Sequence, residues 1–107
     1  MVTEVKELDK YEQMIKENNY LVVDIGATWC GPCKSIKPHF HTLAENLKEK
    51  AKLITVDADE GNDICEKEEI TQLPTFIVYK NGSKVYNKTG GSTEILNEMR
   101  QLIEKSD

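Results

Sequence analysis

Residues 20–34 read YLVVDIGATWCGPCK and contain the features that decide the fold. Residues 20–25 are apolar on both faces except at Asp24, which is the pattern of a central strand covered on both sides. Cys30 and Cys33 follow around a Gly-Pro pair, and proline favours the first turn of a helix because its φ is already helical. The stretch therefore predicts a buried strand that leads into a helix, with a cysteine pair where the two meet.

The rest of the chain continues this alternation of apolar runs and amphipathic segments. We predict strands at residues 2–7, 20–25, 53–56, 76–79 and 84–87, and helices at residues 9–18, 33–50, 62–69 and 92–103. Asp9 and Glu12 form an acidic variant of the capping signal, and Ser92 caps the last helix. Pro38 predicts a kink in the long helix but not a break. The predicted order is β-α-β-α-β-α-β-β-α.

Two connections predict how the strands pair. The strand, helix, strand order over residues 20–56 implies a right-handed parallel crossover. The Asn81-Gly82 pair is a strong hairpin signal, so residues 84–87 should return antiparallel to residues 76–79. The predicted fold class is therefore α/β, with a parallel core and an antiparallel return.

The composition predicts one domain, residues 1–107. With 38% hydrophobic and 31% charged residues, the chain can close one core and is neither disordered nor fibrous. Its net charge of -5 argues against nucleic acid or an anionic membrane as a partner. No apolar run approaches the roughly 18 residues of a membrane span, and residues 1–7 lack the signal-peptide pattern. We therefore expect a cytoplasmic protein.

The position of the cysteine pair matters more than the Cys-x-x-Cys pattern alone. A free thiol with a pKa of about 8.5 is only roughly 3% thiolate at pH 7, whereas a helix N-terminus lowers that pKa. We expect the unpaired N–H groups of the helix to activate Cys30, with Lys34 as an additional cation. Cys33 lies one turn further along the helix and can close a small ring with Cys30. Sparse, clustered cysteines favour a chemical role over a framework of structural disulfides.

The residues around the pair suit contact with another molecule. Gly31 leaves room for an incoming disulfide, and Pro32 stiffens the first helical turn. Trp29 offers a large flat apolar face. We favour a mixed role for Trp29 in packing and recognition, with an ordinary packed side chain as the alternative.

One set of residues resembles a known family in both type and order. The set consists of Asp24, Trp29-Cys30-Gly31-Pro32-Cys33-Lys34 and Leu73-Pro74-Thr75. On these residues the chain resembles the thioredoxin family over nearly its whole length. The resemblance implies the thioredoxin fold, in which a central mixed five-stranded β-sheet is flanked by four α-helices.

The resemblance also implies an activity, that of a protein-disulfide reductase in electron transport and cell redox homeostasis. Cys30 would attack a client disulfide, and Cys33 would then attack Cys30 and release the reduced client. A thioredoxin reductase would restore the dithiol, so NADPH and flavin would belong to that partner, and no cofactor or metal is expected in this chain. Clients of the kind the family serves are peroxiredoxin, ribonucleotide reductase and methionine sulfoxide reductase. We expect a monomer.

Asp24 and Pro74 acquire roles through the same resemblance. Burial should raise the pKa of Asp24. From the residues alone, Asp24 is either a solvated carboxylate at a strand end or a proton acceptor for Cys33, and the resemblance favours the acceptor. Sequence alone favours a trans bond before Pro74, whereas the resemblance implies a cis bond beside a groove for an extended client segment. The implied groove residues are Trp29, Gly31, Pro32, Leu73, Pro74, Thr89 and Gly90.

Two departures from the family pattern lie close to Asp24. Ile25-Gly26 stands where the family usually has two aromatic residues, which removes packing and adds backbone freedom. Thr55 stands where many members carry a lysine. Unless another cation replaces that lysine, its loss should leave the pKa of Asp24 higher still.

Several alternatives stay open beside this hypothesis. The chain is also interpretable as a disulfide oxidant or isomerase, which the Gly-Pro pair disfavours, or as a binding module that merely retains its cysteines. Cys65 is expected to pack in the core as a small hydrophobic residue, and a regulatory thiol is the alternative. Zinc binding by the cysteines with His39 and His41 is a remote alternative. The acidic stretches 57–60 and 66–69 are expected to form a solvated face.

Overall fold

Strands and helices alternate along the chain in the predicted order. The structure, a computed structural model, describes residues 2–105, so residues 1, 106 and 107 of the expected single domain lie outside the described part. The strands are β1 (Val2–Glu4), β2 (Tyr20–Gly26), β3 (Lys52–Asp57), β4 (Thr75–Lys80) and β5 (Ser83–Thr89). The helices are α1 (Leu8–Glu17), α2 (Gly31–Leu47), α3 (Asn62–Lys67) and α4 (Thr93–Glu104).

The five strands form one mixed sheet in the order β1-β3-β2-β4-β5. β3 pairs in parallel with both β1 and β2, which confirms the predicted crossover. β4 pairs antiparallel with β2 and with β5. Asn81 and Gly82 both have positive φ, 50° and 85°, as a type I′ hairpin turn requires. The predicted hairpin is therefore confirmed.

Two apolar layers cover the sheet, one on each face. Tyr20 and Val22 of β2 pack with the buried faces of α2 and α4, represented by Phe40 and Met99. The alternate residues of β2 face the other layer, which includes Tyr11 of α1 and Ile64 of α3. Because strand side chains alternate between the faces, Asp24 lies on the α2 face. Among residues 2–105, no helix is long and apolar enough to cross a membrane.

The long helix α2 begins earlier and ends earlier than predicted. It starts at Gly31, because the proline at its second position is compatible with the first turn. It continues across Pro38 without interruption, as predicted, and a kink at that residue stays a prediction. It ends at Leu47, and residues 48–50 form a turn in which the N–H of Lys50 donates to the carbonyl of Leu47 at 2.8 Å.

Predictions for the two short helices need correction. α1 begins at Leu8, and Glu7 holds the cap position without a side-chain cap bond, so Asp9 lies in the first turn and is not the cap. α3 ends at Lys67, because Glu69 adopts a φ of 55° that a helix cannot continue. The expectation of a solvated face at residues 66–69 is wrong for Glu68, which is buried.

The predicted cap of the last helix, α4, is confirmed at Ser92, since its Oγ accepts the N–H of Glu94 at 3.1 Å.

Candidate active site

The cysteine pair lies at the junction of β2 and α2, as predicted. Cys30 is the cap residue of α2, and its Sγ accepts a hydrogen bond from the N–H of Cys33 at 3.2 Å. Cys30 and Cys33 form a disulfide, with their Cα atoms 5.3 Å apart. Both residues are buried against Ala27 and Leu73. The sulfur of Cys30 therefore lies where the N–H groups and the dipole of a helix favour negative charge.

The groove residues from the later strands converge on the same place. The Leu73–Pro74 peptide bond is cis, as the family resemblance implied. The N–H of Gly90 donates to the carbonyl of Pro74 at 2.9 Å, and Thr89 pairs with Thr75 at the start of β4. Thr89 also donates through its Oγ1 to Oε1 of Gln72 at 3.1 Å. The structure thus brings Leu73, Pro74, Thr89 and Gly90 together, and Gln72 is a neighbour that the motif did not reveal.

Trp29 is exposed at the rim of the site. Its relative exposure is 68%, so the interpretation as an ordinary packed tryptophan is wrong. The indole Nε1 donates to Oδ2 of Asp59 at 3.0 Å, and the N–H of Asp59 donates to Oδ1 of Asp57 at 2.8 Å. The ring is consequently held in place from its polar edge while its apolar face stays free for contact. Sequence reasoning missed Asp59, because the loop after β3 is brought to Trp29 only by the fold.

Asp24 lies beneath the cysteine pair in an apolar setting. Its relative exposure is 7%, and its Oδ1 accepts no hydrogen bond from the described residues. Burial raises the pKa of Asp24 from 3.8 to about 7, and the charge of Lys37 acts in the opposite direction. The predicted rise in pKa is therefore present, and Asp24 is not a solvated carboxylate.

A cleft of about 480 Å³ connects Asp24 with the surface behind the disulfide. Cys33, Lys34, Lys37 and Thr55 line it together with Asp24. Lys34, which was expected to support Cys30, lies in this cleft beside Cys33 and Asp24. Lys37 was missed by sequence reasoning, although its position four residues after Cys33 puts it on the same helical face.

Cys65 and a possible metal cluster were the remaining candidates from the sequence. Cys65 is partly buried and packs against the layer that contains α1 and α3, as expected for a small hydrophobe. Burial, together with the charges of Asp57 and Asp59, raises the pKa of the Cys65 thiol, which disfavours a reactive thiolate. Within residues 2–105, no three His, Cys, Asp or Glu side chains are grouped so that they could hold a metal ion.

A redox-capable cysteine pair at the N-terminus of a helix, on a mixed sheet with helices on both faces, defines a thiol-disulfide oxidoreductase. The family model of thioredoxin matches residues 2–105. Thioredoxin 1 of Plasmodium falciparum is 42% identical over 105 residues, which is 98% of this chain and 97% of that protein. Thioredoxin of Gallus gallus is 40% identical over 100 residues, 92% of this chain and 94% of that protein.

Solved structures agree with the sequence comparisons. The thioredoxin structure from Plasmodium falciparum has a TM-score of 0.85 and 39% identity, covering 98% of this chain and 99% of that one. A structure described as showing the thiol resolving mechanism in yeast mitochondrial 1-Cys peroxiredoxin has a TM-score of 0.87 and 30% identity, covering 98% and 95%. The chain belongs to the thioredoxin family. It is a protein-disulfide reductase, and its redox centre is Cys30–Cys33.

Proposed function

We propose that Cys30 is the nucleophile and Cys33 the resolving cysteine in the reduction of client disulfides. The Cys30 thiolate attacks one sulfur of the client, which forms a mixed disulfide and releases the first client thiolate. The Cys33 thiolate then attacks the Sγ of Cys30, closes the Cys30–Cys33 disulfide and releases the second client thiolate. Two electrons pass to the client in total. The observation that carries this assignment is the Sγ of Cys30 at the N-cap of α2, accepting the N–H of Cys33.

Asp24 accepts the proton that Cys33 must lose before it attacks. A carboxyl with a pKa of about 7 is about half ionised at neutral pH, so it can take up a proton and give it back under the same conditions. The cleft that joins Asp24 and Cys33 supports this role, because it brings the acceptor and the thiol to one space.

The groove above the disulfide receives an extended segment of the client. Trp29 supplies an exposed apolar wall, and Gly31 and Pro32 form the first turn of α2. The Leu73–Pro74 segment and Gly90, joined by the hydrogen bond from the N–H of Gly90 to the carbonyl of Pro74, form the other side, where the main chain would pair with an extended peptide.

The partners follow from the redox cycle. Each turnover leaves the protein oxidised, so a reductant must supply two electrons to reopen Cys30–Cys33. The family resemblance implies that this reductant is a thioredoxin reductase that carries flavin and uses NADPH. Peroxiredoxin is the client class that a similar structure names, and ribonucleotide reductase and methionine sulfoxide reductase are further candidates. We place the protein in the cytoplasm as a monomer without a cofactor of its own. Cell fractionation tests the compartment, sedimentation tests the oligomeric state, and the absorption spectrum of the purified protein tests the absence of a bound flavin.

Single-cysteine variants test the order of the two thiols. In a Cys65→Ser background, Cys33→Ser should accumulate a Cys30 mixed disulfide with a disulfide-bonded protein such as insulin. Cys30→Ser should accumulate none. Accumulation only in Cys30→Ser would reverse the assignment, and equal accumulation in both variants would contradict a fixed order of the two thiols. A Cys30→Ser, Cys33→Ser double variant separates the reductase from a binding module, because only a binding module would retain its function in cells.

A further inference from the structure

We infer that Lys37 is the positioning residue that keeps the Asp24 carboxylate available to Cys33, and that the small residues Gly26 and Thr55 create the cleft through which it acts. The inference deepens the proposed function and rests on the proton-acceptor role of Asp24. Gly26 and Thr55 belong to the two departures from the family pattern beside Asp24, and Lys37 lies outside the cysteine motif; all three line the cleft.

The strands beside Asp24 do not supply a cation. In the β2–β3 register Asp24 is directly opposite Thr55, and in the β2–β4 register it is opposite Phe76. Neither neighbour carries a charge, and Oδ1 of Asp24 has no hydrogen-bond partner among the described residues. A buried carboxylate in this position needs its compensating charge from another element.

Gly26 opens the space that lets such a charge act. It lies two residues after Asp24 on β2 and therefore on the same face of the sheet. A Cβ at residue 26 would lie 3.1 Å from Sγ of Cys33 and 3.8 Å from Oδ1 of Asp24. A larger side chain would consequently fill the region between the thiol and the carboxylate that the cleft now reaches.

Lys37 is the cation that the cleft places within influence of Asp24. It follows Cys33 by four residues on α2, so the two residues share a helical face, and both line the cleft. The charge of Lys37 lowers the pKa of Asp24 against the larger effect of burial, and the outcome is a pKa of about 7.

The other charged groups around the cleft are mostly acidic. Lys34 of α2 is the second cation, whereas Glu4 of β1, Asp57 of β3 and Glu60 in the following loop are carboxylates. Among the influences on Asp24, burial raises its pKa and the charge of Lys37 lowers it. Removing Lys37 therefore leaves the effect of burial, which favours the neutral form of Asp24, without that opposing charge.

The direct test is a titration of the Asp24 carboxyl carbon by NMR in the oxidised protein, where Cys30 and Cys33 have no titrating thiol. Lys37→Met should move the midpoint to higher pH. Lys48→Met is the matched control, because it removes an exposed lysine next to the other end of α2 and should leave the midpoint unchanged. Thr55→Lys added to Lys37→Met should move the midpoint back down. Equal midpoints in wild type, Lys37→Met and Lys48→Met would overturn the inference.

Kinetics connects the titration with catalysis. Below its midpoint the ionised fraction of Asp24 falls about tenfold for each pH unit by which the midpoint rises. At pH 6 we expect Lys37→Met to resolve a mixed disulfide at least about threefold more slowly than wild type, with little difference at pH 9. Because Lys37 is exposed, high salt should reduce the difference at pH 6. An equal slowing at pH 6 and pH 9 would contradict a role through Asp24.

Asp24→Asn distinguishes the two ways in which the idea can fail. If this variant resolves mixed disulfides with an unchanged pH profile, the proton-acceptor role of Asp24 is wrong, whatever Lys37 does to the carboxyl titration. The other outcome is that Asp24→Asn weakens the pH dependence of mixed-disulfide resolution, while the Asp24 carboxyl of Lys37→Met titrates with the wild-type midpoint. In that case only the role of Lys37 is wrong.

Discussion

At the scale of single residues, Asp24 links chemistry to stability. An isolated buried carboxylate is costly to ionise, which is why burial raises the pKa of Asp24 from 3.8 to about 7. The folded protein therefore holds a proton on Asp24 between about pH 4 and pH 7 that the unfolded chain has released. Folding stability consequently falls as pH rises through this window and levels off above about pH 7.

Asp24→Asn should accordingly stabilise the protein at pH 8. The gain should be up to about 4 kcal/mol, since each pH unit between the two pKa values contributes about 1.4 kcal/mol, and it should shrink toward zero near pH 4. Urea unfolding from pH 4 to pH 8 measures this difference. The control Asp63→Asn, on an exposed residue of α3, should change stability by less than about 1 kcal/mol with little trend. A destabilised Asp24→Asn at pH 8 would contradict this account of the carboxylate.

The sequence was sufficient to find Asp24, Cys30 and Cys33 but not the residues that assist them. A charged residue inside an apolar strand and a cysteine pair at a helix start are visible as local patterns. Lys37 and Asp59 are ordinary charged residues in sequence. Their roles depend on which face of α2 meets β2 and on where the loop after β3 lies, and tertiary packing alone decides both.

At the scale of elements, Glu68, the residue that follows α3, connects α1, β4 and β5. Its side chain is 2% exposed and forms an ion pair with Lys84 of β5 at 2.7 Å. The hydroxyl of Tyr11 on α1 donates to Oε2 at 2.5 Å, and that of Tyr79 on β4 donates to the same atom at 2.6 Å. Burial alone would raise the pKa of Glu68, but the hydrogen bonds from Lys84 and the two tyrosines outweigh it and lower the pKa.

Glu68→Gln should destabilise the fold by about 3 kcal/mol at pH 7, because it leaves Lys84 and both tyrosine hydroxyls without their charged partner. The lowered pKa means that this contribution is present above about pH 4.5 and is lost as pH falls through the folded value. The difference in the free energy of unfolding between wild type and Glu68→Gln should therefore become smaller at low pH. Chemical denaturation from pH 3 to pH 7 tests this. Glu66→Gln, at an exposed neighbouring residue, is the control. If Glu68→Gln loses no more unfolding free energy at pH 7 than Glu66→Gln, the hydrogen-bond network around Glu68 does not stabilise the fold as proposed.

Glu68 also shows where reading elements from sequence fails. The acidic stretch 66–69 has the composition of a solvated face, and three of its four members give no reason to change that view. The helix ends at Lys67, however, and the positive φ of Glu69 turns the chain just after Glu68. The tyrosines that donate hydrogen bonds to Glu68 come from α1 and β4, so its burial depends on residues that are distant in the sequence.

At the scale of the whole molecule, the order and type of the elements were predictable from the sequence. Apolar periodicity distinguishes the strands from the helices, and the crossover and the Asn81-Gly82 turn together fix a mixed sheet. Element ends were less predictable, as the early starts of α1 and α2 show, because they depend on caps and on contacts with other parts of the chain.

The reduction potential of Cys30–Cys33 also belongs to the whole molecule, because it measures the free-energy difference between the oxidised and reduced folded states. Strong oxidants stabilise their reduced form through an unusually stable thiolate. Here the helix N-terminus favours the Cys30 thiolate, but Cys30 is buried and packs beside the apolar residues Ala27 and Leu73, which disfavours its charge. The two effects oppose each other, so the reduced form should gain only moderate stabilisation.

We therefore expect a potential at or below the cytosolic glutathione poise of roughly -220 to -260 mV, measured by equilibration with glutathione of known ratio and trapping of free thiols. Pro32→His should raise the potential, because a partly protonated imidazole in the first turn of α2 would stabilise the Cys30 thiolate. A wild-type value near the roughly -120 mV of strong oxidants would mean that electrons flow from clients to this protein, and the reductase direction would be wrong. A wild-type value in the reducing range that Pro32→His leaves unchanged would instead show that something other than the thiolate of Cys30 sets the potential.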